Sequence, residues 1–115
     1  MISGAHLIVF GEGADAARAF FRDVLGFSSV DAGGGWLIFG LPPAEVAFHP
    51  ATEDHHELYL MCDDIRATIA ELESKGVEFV APVSDEGFGL MTRLRLPGAG
   101  ELGLYEPRHP TAISS

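Results

Sequence analysis

Apolar and polar positions divide the first half of the chain into one strand, one helix and three further strands. Residues 5–10 are β-branched and apolar on both faces, which predicts a strand covered on two sides. Apolar residues then recur at helical spacing over 17–25, with Asp15 in position to cap the helix. Gly26 supplies the left-handed conformation that ends many helices, so we expect the helix to stop there.

The remaining strands of the first half are separated by residues that favour turns. Residues 27–30 and 36–39 flank a glycine-rich turn at 31–35, and residues 45–49 form a strand stopped by Pro50. The first half is therefore predicted to have the order β-α-β-β-β.

The second half repeats this order. Residues 57–62 predict a strand in which Leu58, Leu60 and Cys62 share one face. Asp63 or Asp64 caps the helix that follows, and Gly76 ends it. Further strands are expected at 77–80, 90–96 and 101–106, with a loop at 82–89. An internal repeat of this kind predicts an α+β fold, with two sheets that face each other around a cleft and helices outside.

Length and charge limit the possible functions. The 115 residues suffice for one domain over 1–115, with modules at about 4–50 and 55–108. The formal net charge of −10 argues against a nucleic-acid partner and permits a neutral or cationic small ligand. No apolar run approaches the ~20 residues of a membrane span, and no secretory signal is visible. With Cys62 as the single cysteine, these features predict a cytoplasmic protein without a membrane partner.

Three motifs resemble a known superfamily. Residues 19–27, AFFRDVLGF, are similar to the F-Y-x-x-x-L-G-F signature of the vicinal oxygen chelate superfamily. Residues 63–65 with 75–77 resemble the same signature in its second module, and residues 104–107 resemble its last strand. This superfamily includes glyoxalase I, extradiol dioxygenases and bleomycin resistance proteins. The resemblance implies two tandem βαβββ modules, but it does not select a function, because one fold serves many activities.

The enzymes of this superfamily hold a divalent metal on up to four strand positions. The resemblance carries these positions to His6, Val46 or its neighbour Ala47, Glu57 and Gly103. Only the imidazole and the carboxylate among them can bind a metal, whereas a catalytic site normally has three or more protein ligands. We therefore expect no cofactor.

A metal site remains open as an alternative. It would use His6, Glu57 and a nearby carboxylate, Glu45 or Glu101, in a lyase, isomerase or dioxygenase. A further alternative is a cleft filled by the protein's own side chains.

The preferred hypothesis is a protein that sequesters a hydrophobic or aromatic compound, such as an antibiotic or natural product, without a metal. Apolar walls with a few polar anchors are typical of such pockets. The resemblance also implies a homodimer. The residues expected to contact the ligand are His6, Trp36, Phe48, Glu57, Tyr59, Phe88 and Met91.

Overall fold

The computed structural model describes residues 6–48 and 50–114, and within them the chain forms two helices and six strands. The first helix continues into a π-helical turn at Phe20–Val24, and a short 3-10 turn follows the last strand at Ala112–Ser114. In chain order the elements are α1 (Ala14–Ala19), β1 (Ser29–Asp31), β2 (Leu37–Phe39), β3 (Tyr59–Met61), α2 (Ile65–Ser74), β4 (Ser84–Asp85), β5 (Gly89–Arg95) and β6 (Glu101–Pro107).

The second half forms a four-stranded mixed sheet. Its strand order is β3-β6-β5-β4, with β3 parallel to β6 and the other pairs antiparallel. Gly103 of β6 lies between Tyr59 of β3 and Arg93 of β5. In the first half, β1 and β2 pair as an antiparallel hairpin. The α+β class is therefore confirmed, although the described residues do not form a closed barrel.

The core lies between the four-stranded sheet and α2. Alternate residues of a strand point to opposite faces, and on the core side of this sheet the buried side chains are apolar apart from Thr92. Phe20 of the first half joins the same core. The buried apolar residues are Phe20, Ile65, Leu72, Val77, Leu94, Leu96, Leu102 and Leu104.

The opposite side of the sheet is only partly buried, and we call it the open face. Tyr59, Met61, Met91, Arg93 and Tyr105 project from it and retain intermediate exposure.

Helix α2 begins at a side-chain cap. Asp64 has an extended backbone, and its Oδ1 accepts a hydrogen bond from the Ala67 amide at 3.1 Å. This satisfies one of the amides that the first helical turn leaves without a partner. Of the two aspartates proposed as the cap, it is therefore Asp64 that caps the helix. The helix ends before Gly76, whose φ of 86° lies in the left-handed region.

Replacing the cap is expected to destabilise the protein moderately. We predict that Asp64→Ala lowers the free energy of unfolding by about 1 kcal/mol, because the Ala67 amide loses its acceptor. Urea denaturation followed by circular dichroism measures this loss. The control is Asp63→Ala, which removes an equal charge without removing the cap, and an equal loss in both variants would contradict the assignment.

Two apolar segments of the first half differ from expectation. Residues 6–10 and 45–48 belong to no helix or strand and are mostly exposed. Phe10 exposes 85% of its surface and Val46 78%, although strands were predicted at both segments. The predicted ends of these strands, Ala5 and His49, lie outside the described residues.

The predicted cap of α1 was wrong. The helix begins at Ala14 after Gly13, which provides no side-chain cap. Asp15 instead lies within the first turn, where its Oδ1 accepts a hydrogen bond from Arg18 at 2.7 Å. Glycine lacks the side-chain oxygen that a cap requires, so α1 begins without a side-chain cap.

Two segments of the second half also differ from the predicted strands and loops. Residues 77–80 form a single bridge, from Phe79 to Leu94, and not a continuous strand. The loop predicted at 82–89 contains the short strand β4, which pairs with Leu90 and Met91 of β5. Short edge strands of this kind leave few backbone groups open to pairing with other chains.

The two halves approach each other closely at one glycine pair. The amide of Gly13 donates to the carbonyl of Gly98 at 2.9 Å, which brings the start of α1 against the β5–β6 turn. A side chain on either glycine would overlap the backbone of the other. None of the helices described is long and apolar enough to cross a membrane.

Candidate functional site

The centre of the open face is an aromatic ring lying over a glycine. Tyr59 and Gly103 are directly opposite each other in the parallel pair β3–β6. A Cβ atom added at Gly103 would overlap the Tyr59 ring. Glycine at this position therefore allows the ring to lie flat against the sheet, where a larger residue would displace it.

Three aromatic rings continue from this point along the open face, and we call them the aromatic shelf: Tyr59, Tyr105 and Phe88. Tyr59 meets Tyr105 edge to face at 5.8 Å between ring centroids, and Phe88 meets Tyr105 at 6.2 Å. The register places Met61 and Met91 on either side of Tyr105. The shelf therefore presents polarisable, apolar surface suited to a flat ring.

A polar network adjoins the shelf at Tyr59. The Tyr59 hydroxyl donates to Glu57 Oε1, and His55 Nε2 lies 3.3 Å from Glu57 Oε2. Arg93 Nε donates to Glu101 Oε1 at 2.9 Å, while its Nη1 lies 3.8 Å from Glu57 Oε1. The guanidinium also lies 5.9 Å from the centroid of the Tyr59 ring. One cation is thus held between two carboxylates and an aromatic ring.

These contacts shift the protonation of the network. The hydrogen bond from Tyr59 lowers the pKa of Glu57, with a smaller effect from the nearby Arg93 charge. Burial and the Glu57 carboxylate raise the pKa of the Tyr59 phenol, so this hydroxyl stays protonated and donates. The hydrogen bond to Glu101 raises the pKa of Arg93. These shifts favour the charged forms of Arg93 and Glu57 and the neutral form of Tyr59.

The C-terminal segment folds back over one end of the open face. The His109 ring stacks on Tyr105 with centroids 6.0 Å apart, and the Arg108 amide donates to the Phe88 carbonyl at 2.8 Å. Further on, the Ala112 amide donates to Glu45 Oε2 at 2.7 Å. Glu45 therefore secures the C-terminal segment and does not belong to the polar network.

The predicted site residues fall into two groups. Glu57, Tyr59, Phe88 and Met91 come together on or beside the open face, as does Glu101. The remaining three lie apart from the aromatic shelf: His6 is exposed, Trp36 is 62% exposed beside Arg18, and Phe48 is 90% exposed.

Two residues of the site were missed by sequence reasoning. Tyr105 connects the rings of the aromatic shelf, and Arg93 connects the carboxylates of the polar network. A signal for Arg93 was present, because it alternates with Met91 along a strand whose other face is buried.

The residues present do not fit the divalent metal that the superfamily resemblance implies. The Glu57 carboxylate accepts from a phenol and faces a guanidinium, and the side-chain space at Gly103 is filled by Tyr59. Val46 offers no metal-binding atom and is 78% exposed. Across residues 6–48 and 50–114, no three His, Cys, Asp or Glu side chains converge as a metal site requires.

Two cavities lie away from the polar network. One of about 330 Å³ lies between the π-helical turn and the end of α2, and its lining includes Phe20, Val24 and Val77. The other, about 290 Å³, lies below the C-terminal turn and is lined in part by Met61 and Ile113. Neither of these two cavities is lined by Tyr59 or Arg93, although Met61 of the open face lines the second.

Solved structures with similar folds include proteins with different described roles. TnmS3, described as an antibiotic binding protein from Streptomyces sp. CB03234, is 24% identical with a TM-score of 0.64, over 92% of this chain and 97% of that one. UcmS2 is 23% identical with a TM-score of 0.64, over 91% and 98%. A lactoylglutathione lyase from Agrobacterium tumefaciens is 16% identical with a TM-score of 0.64, over 90% and 92%. At these identities the likeness establishes the fold alone.

A comparison with curated protein sequences finds no match. The family model described as the Glyoxalase/Bleomycin resistance protein/Dioxygenase superfamily matches residues 4–98. That match includes α1, α2 and most of the strands, in the two-module order described above. The chain belongs to the glyoxalase/bleomycin resistance protein/dioxygenase superfamily.

Proposed function

We propose that this protein binds a hydrophobic or aromatic small molecule on the open face and holds it without chemical change. The observation that carries the proposal is the aromatic shelf beside the polar network. Flat apolar surface with a few fixed polar groups is the usual composition of a small-molecule site. The description of TnmS3 as an antibiotic binding protein supports an antibiotic or natural product as the ligand class.

Binding in this proposal does not require a metal. The Arg93 guanidinium already neutralises much of the charge of Glu57 and Glu101, which is the role that a bound cation would otherwise have. Two hydrogen-bonding partners of fixed charge can orient a ligand without any further ion. We also propose that the protein acts in the cytoplasm, where a single unpaired thiol such as Cys62 stays reduced.

Isothermal titration against a panel of aromatic antibiotics tests this function. We expect at least one compound to bind, and Tyr105→Ala to weaken that binding about tenfold, because Tyr105 joins the rings of the aromatic shelf. Trp36→Ala is the matched control, since that exposed ring lies away from the aromatic shelf. Absence of binding across the panel would count against sequestration.

Metal analysis separates binding from metal-dependent catalysis. Protein purified without chelators is expected to hold less than stoichiometric Zn, Fe, Mn or Ni. A stoichiometric metal that is lost in His6→Ala would contradict metal-free binding and support a lyase, isomerase or dioxygenase.

We further propose that the functional form is a homodimer. Apolar side chains of the first half are exposed to an extent unusual in a monomer, including Ile8 at 62%, Phe10 at 85% and Phe48 at 90%. A second copy of the chain exposes the same apolar surface, so one symmetric interface covers the surfaces of both copies. Sedimentation velocity is expected to give a dimer, and a monomer at micromolar concentration would refute this assembly.

A further inference from the structure

The polar network on the open face has a gap between Arg93 and Glu57. Arg93 Nε is committed to Glu101 Oε1 at 2.9 Å. Its Nη1 faces Glu57 Oε1 at 3.8 Å, which is too long for a hydrogen bond. The Arg93 guanidinium and the Glu57 carboxylate therefore lie beside each other without a hydrogen bond between these two atoms.

Glu57 keeps the capacity to accept at this gap. A carboxylate oxygen has two lone pairs, and the Tyr59 hydroxyl uses one of those on Oε1. The other oxygen, Oε2, faces His55 at 3.3 Å. The side chains of Arg93 and Glu57 are 34% and 41% exposed, so a ligand can reach both from solvent.

The charges around the gap select against anions. Two carboxylates, Glu57 and Glu101, flank the single guanidinium of Arg93, and the whole chain carries a formal charge of −10. An anionic ligand would meet both carboxylates at close range as it reached the guanidinium. A neutral group that offers an acceptor to Arg93 and a donor to Glu57 meets no such repulsion.

We propose that Arg93 and Glu57 are a specificity-determining pair that recognises a net-neutral aromatic ligand whose ring edge carries an adjacent acceptor and donor, such as a carboxamide or lactam. Arg93 donates to the carbonyl oxygen, and Glu57 accepts from the N–H. The ring lies against the aromatic shelf. This inference rests on the proposed small-molecule-binding function and names the chemical class of its ligand.

Three naphthalene probes of matched size test the pair: 2-naphthamide, 2-naphthoate and 2-methylnaphthalene. Titration followed by naphthalene fluorescence is expected to give 2-naphthamide about tenfold tighter binding than the other two, because it alone is neutral and fills both polar contacts. Arg93→Met is expected to abolish this preference, so that 2-naphthamide binds no more tightly than 2-methylnaphthalene to that variant.

Two further variants distinguish the loss of the contact between Arg93 and the ligand from a general loss of folded structure. Arg93→Lys keeps the positive charge but removes the planar guanidinium group with its several N–H donors. We expect this variant also to lose most of the preference for 2-naphthamide. Arg95→Met is the matched control, because Arg95 lies on the same strand and pairs with Glu78 outside the network. We expect the control to bind all three probes as the unmodified protein does.

The outcomes distinguish this inference from the function on which it rests. Equal binding of 2-naphthamide and 2-methylnaphthalene would overturn the role of Arg93 and Glu57 while leaving small-molecule binding intact. Tightest binding of 2-naphthoate would likewise overturn the preference for neutral ligands. If none of the probes and no compound of the antibiotic panel binds, both the proposed function and this inference fail.

Discussion

Leu94→Ala is expected to lower the free energy of unfolding by about 3 kcal/mol, because large-to-small changes at fully buried leucines leave a cavity that the surroundings fill only in part. Leu94 is 0% exposed in the middle of β5, on the face that packs against α2. Its backbone is also held from both sides, by Leu102 of β6 and by the bridge to Phe79. The surrounding strands therefore have little freedom to collapse into the cavity.

Urea denaturation monitored by circular dichroism measures this loss. The expected sign is a lower midpoint with an unchanged dependence on denaturant, since the surface exposed on unfolding stays nearly the same. Leu41→Ala provides the matched control, because Leu41 is 41% exposed outside any helix or strand. We expect Leu41→Ala to lower the free energy of unfolding by less than about 1 kcal/mol. Similar losses at both leucines would contradict the location of the core.

Gly98→Ala is the second change with a large expected effect, a loss of about 3 kcal/mol. Gly98 has a φ of 79°, which disfavours any side chain, and its added Cβ would overlap the backbone of Gly13. Two costs therefore combine, one from local strain and one from separating the start of α1 from the β5–β6 turn.

Gly100→Ala isolates the first of these costs, the local backbone strain. Gly100 lies in the same turn with a φ of 83°, but nothing lies within 4 Å of its added Cβ. We expect a loss of about 1 kcal/mol there, from strain alone. Urea denaturation measures the loss in the free energy of unfolding for each variant. The difference between the two losses is the contribution of the contact between Gly13 and Gly98. Equal losses would mean that this contact contributes nothing to stability.

Local signals in the second half were sufficient to predict β3, α2, β5 and β6, although not the short strand β4. Helix α2 combines an aspartate cap with buried Ile65 and Leu72, and Gly76 follows its end. In β5, buried Thr92 and Leu94 alternate with half-buried Met91 and Arg93, and a glycine-containing turn leads to β6. Each of these signals acts within a few residues, so no knowledge of the tertiary structure was needed.

The first half was harder to predict because its apolar segments at 6–10 and 45–48 stay mostly exposed and join neither of the described sheets. Residues 6–10 and 45–48 are apolar enough to predict burial, but such a run does not specify the surface that covers it. Strand formation depends on the pairing of backbone groups, and residues 6–10 take part in none of the described sheets. The pattern therefore predicted the need for burial but not the absence of a strand.

The site could be predicted in part. Alternation along 57–62 correctly put Glu57 and Tyr59 on one face, away from the core. Arg93 was missed because its role depends on the register between β5 and β6, which brings it next to Gly103 and within reach of Glu101. The sequence also contains no indication that the Tyr59 ring would occupy the space above Gly103, since the two residues are far apart in the chain.

The contact between Glu45 and the C-terminal segment joins the two halves of the chain at a point far from the linker in sequence. The Ala112 amide donates to Glu45, the Gly13 amide donates to Gly98, and Phe20 packs in the core, so the halves are also joined away from the exposed linker at 50–57. A protease that cuts this linker leaves both fragments attached to each other through non-covalent contacts.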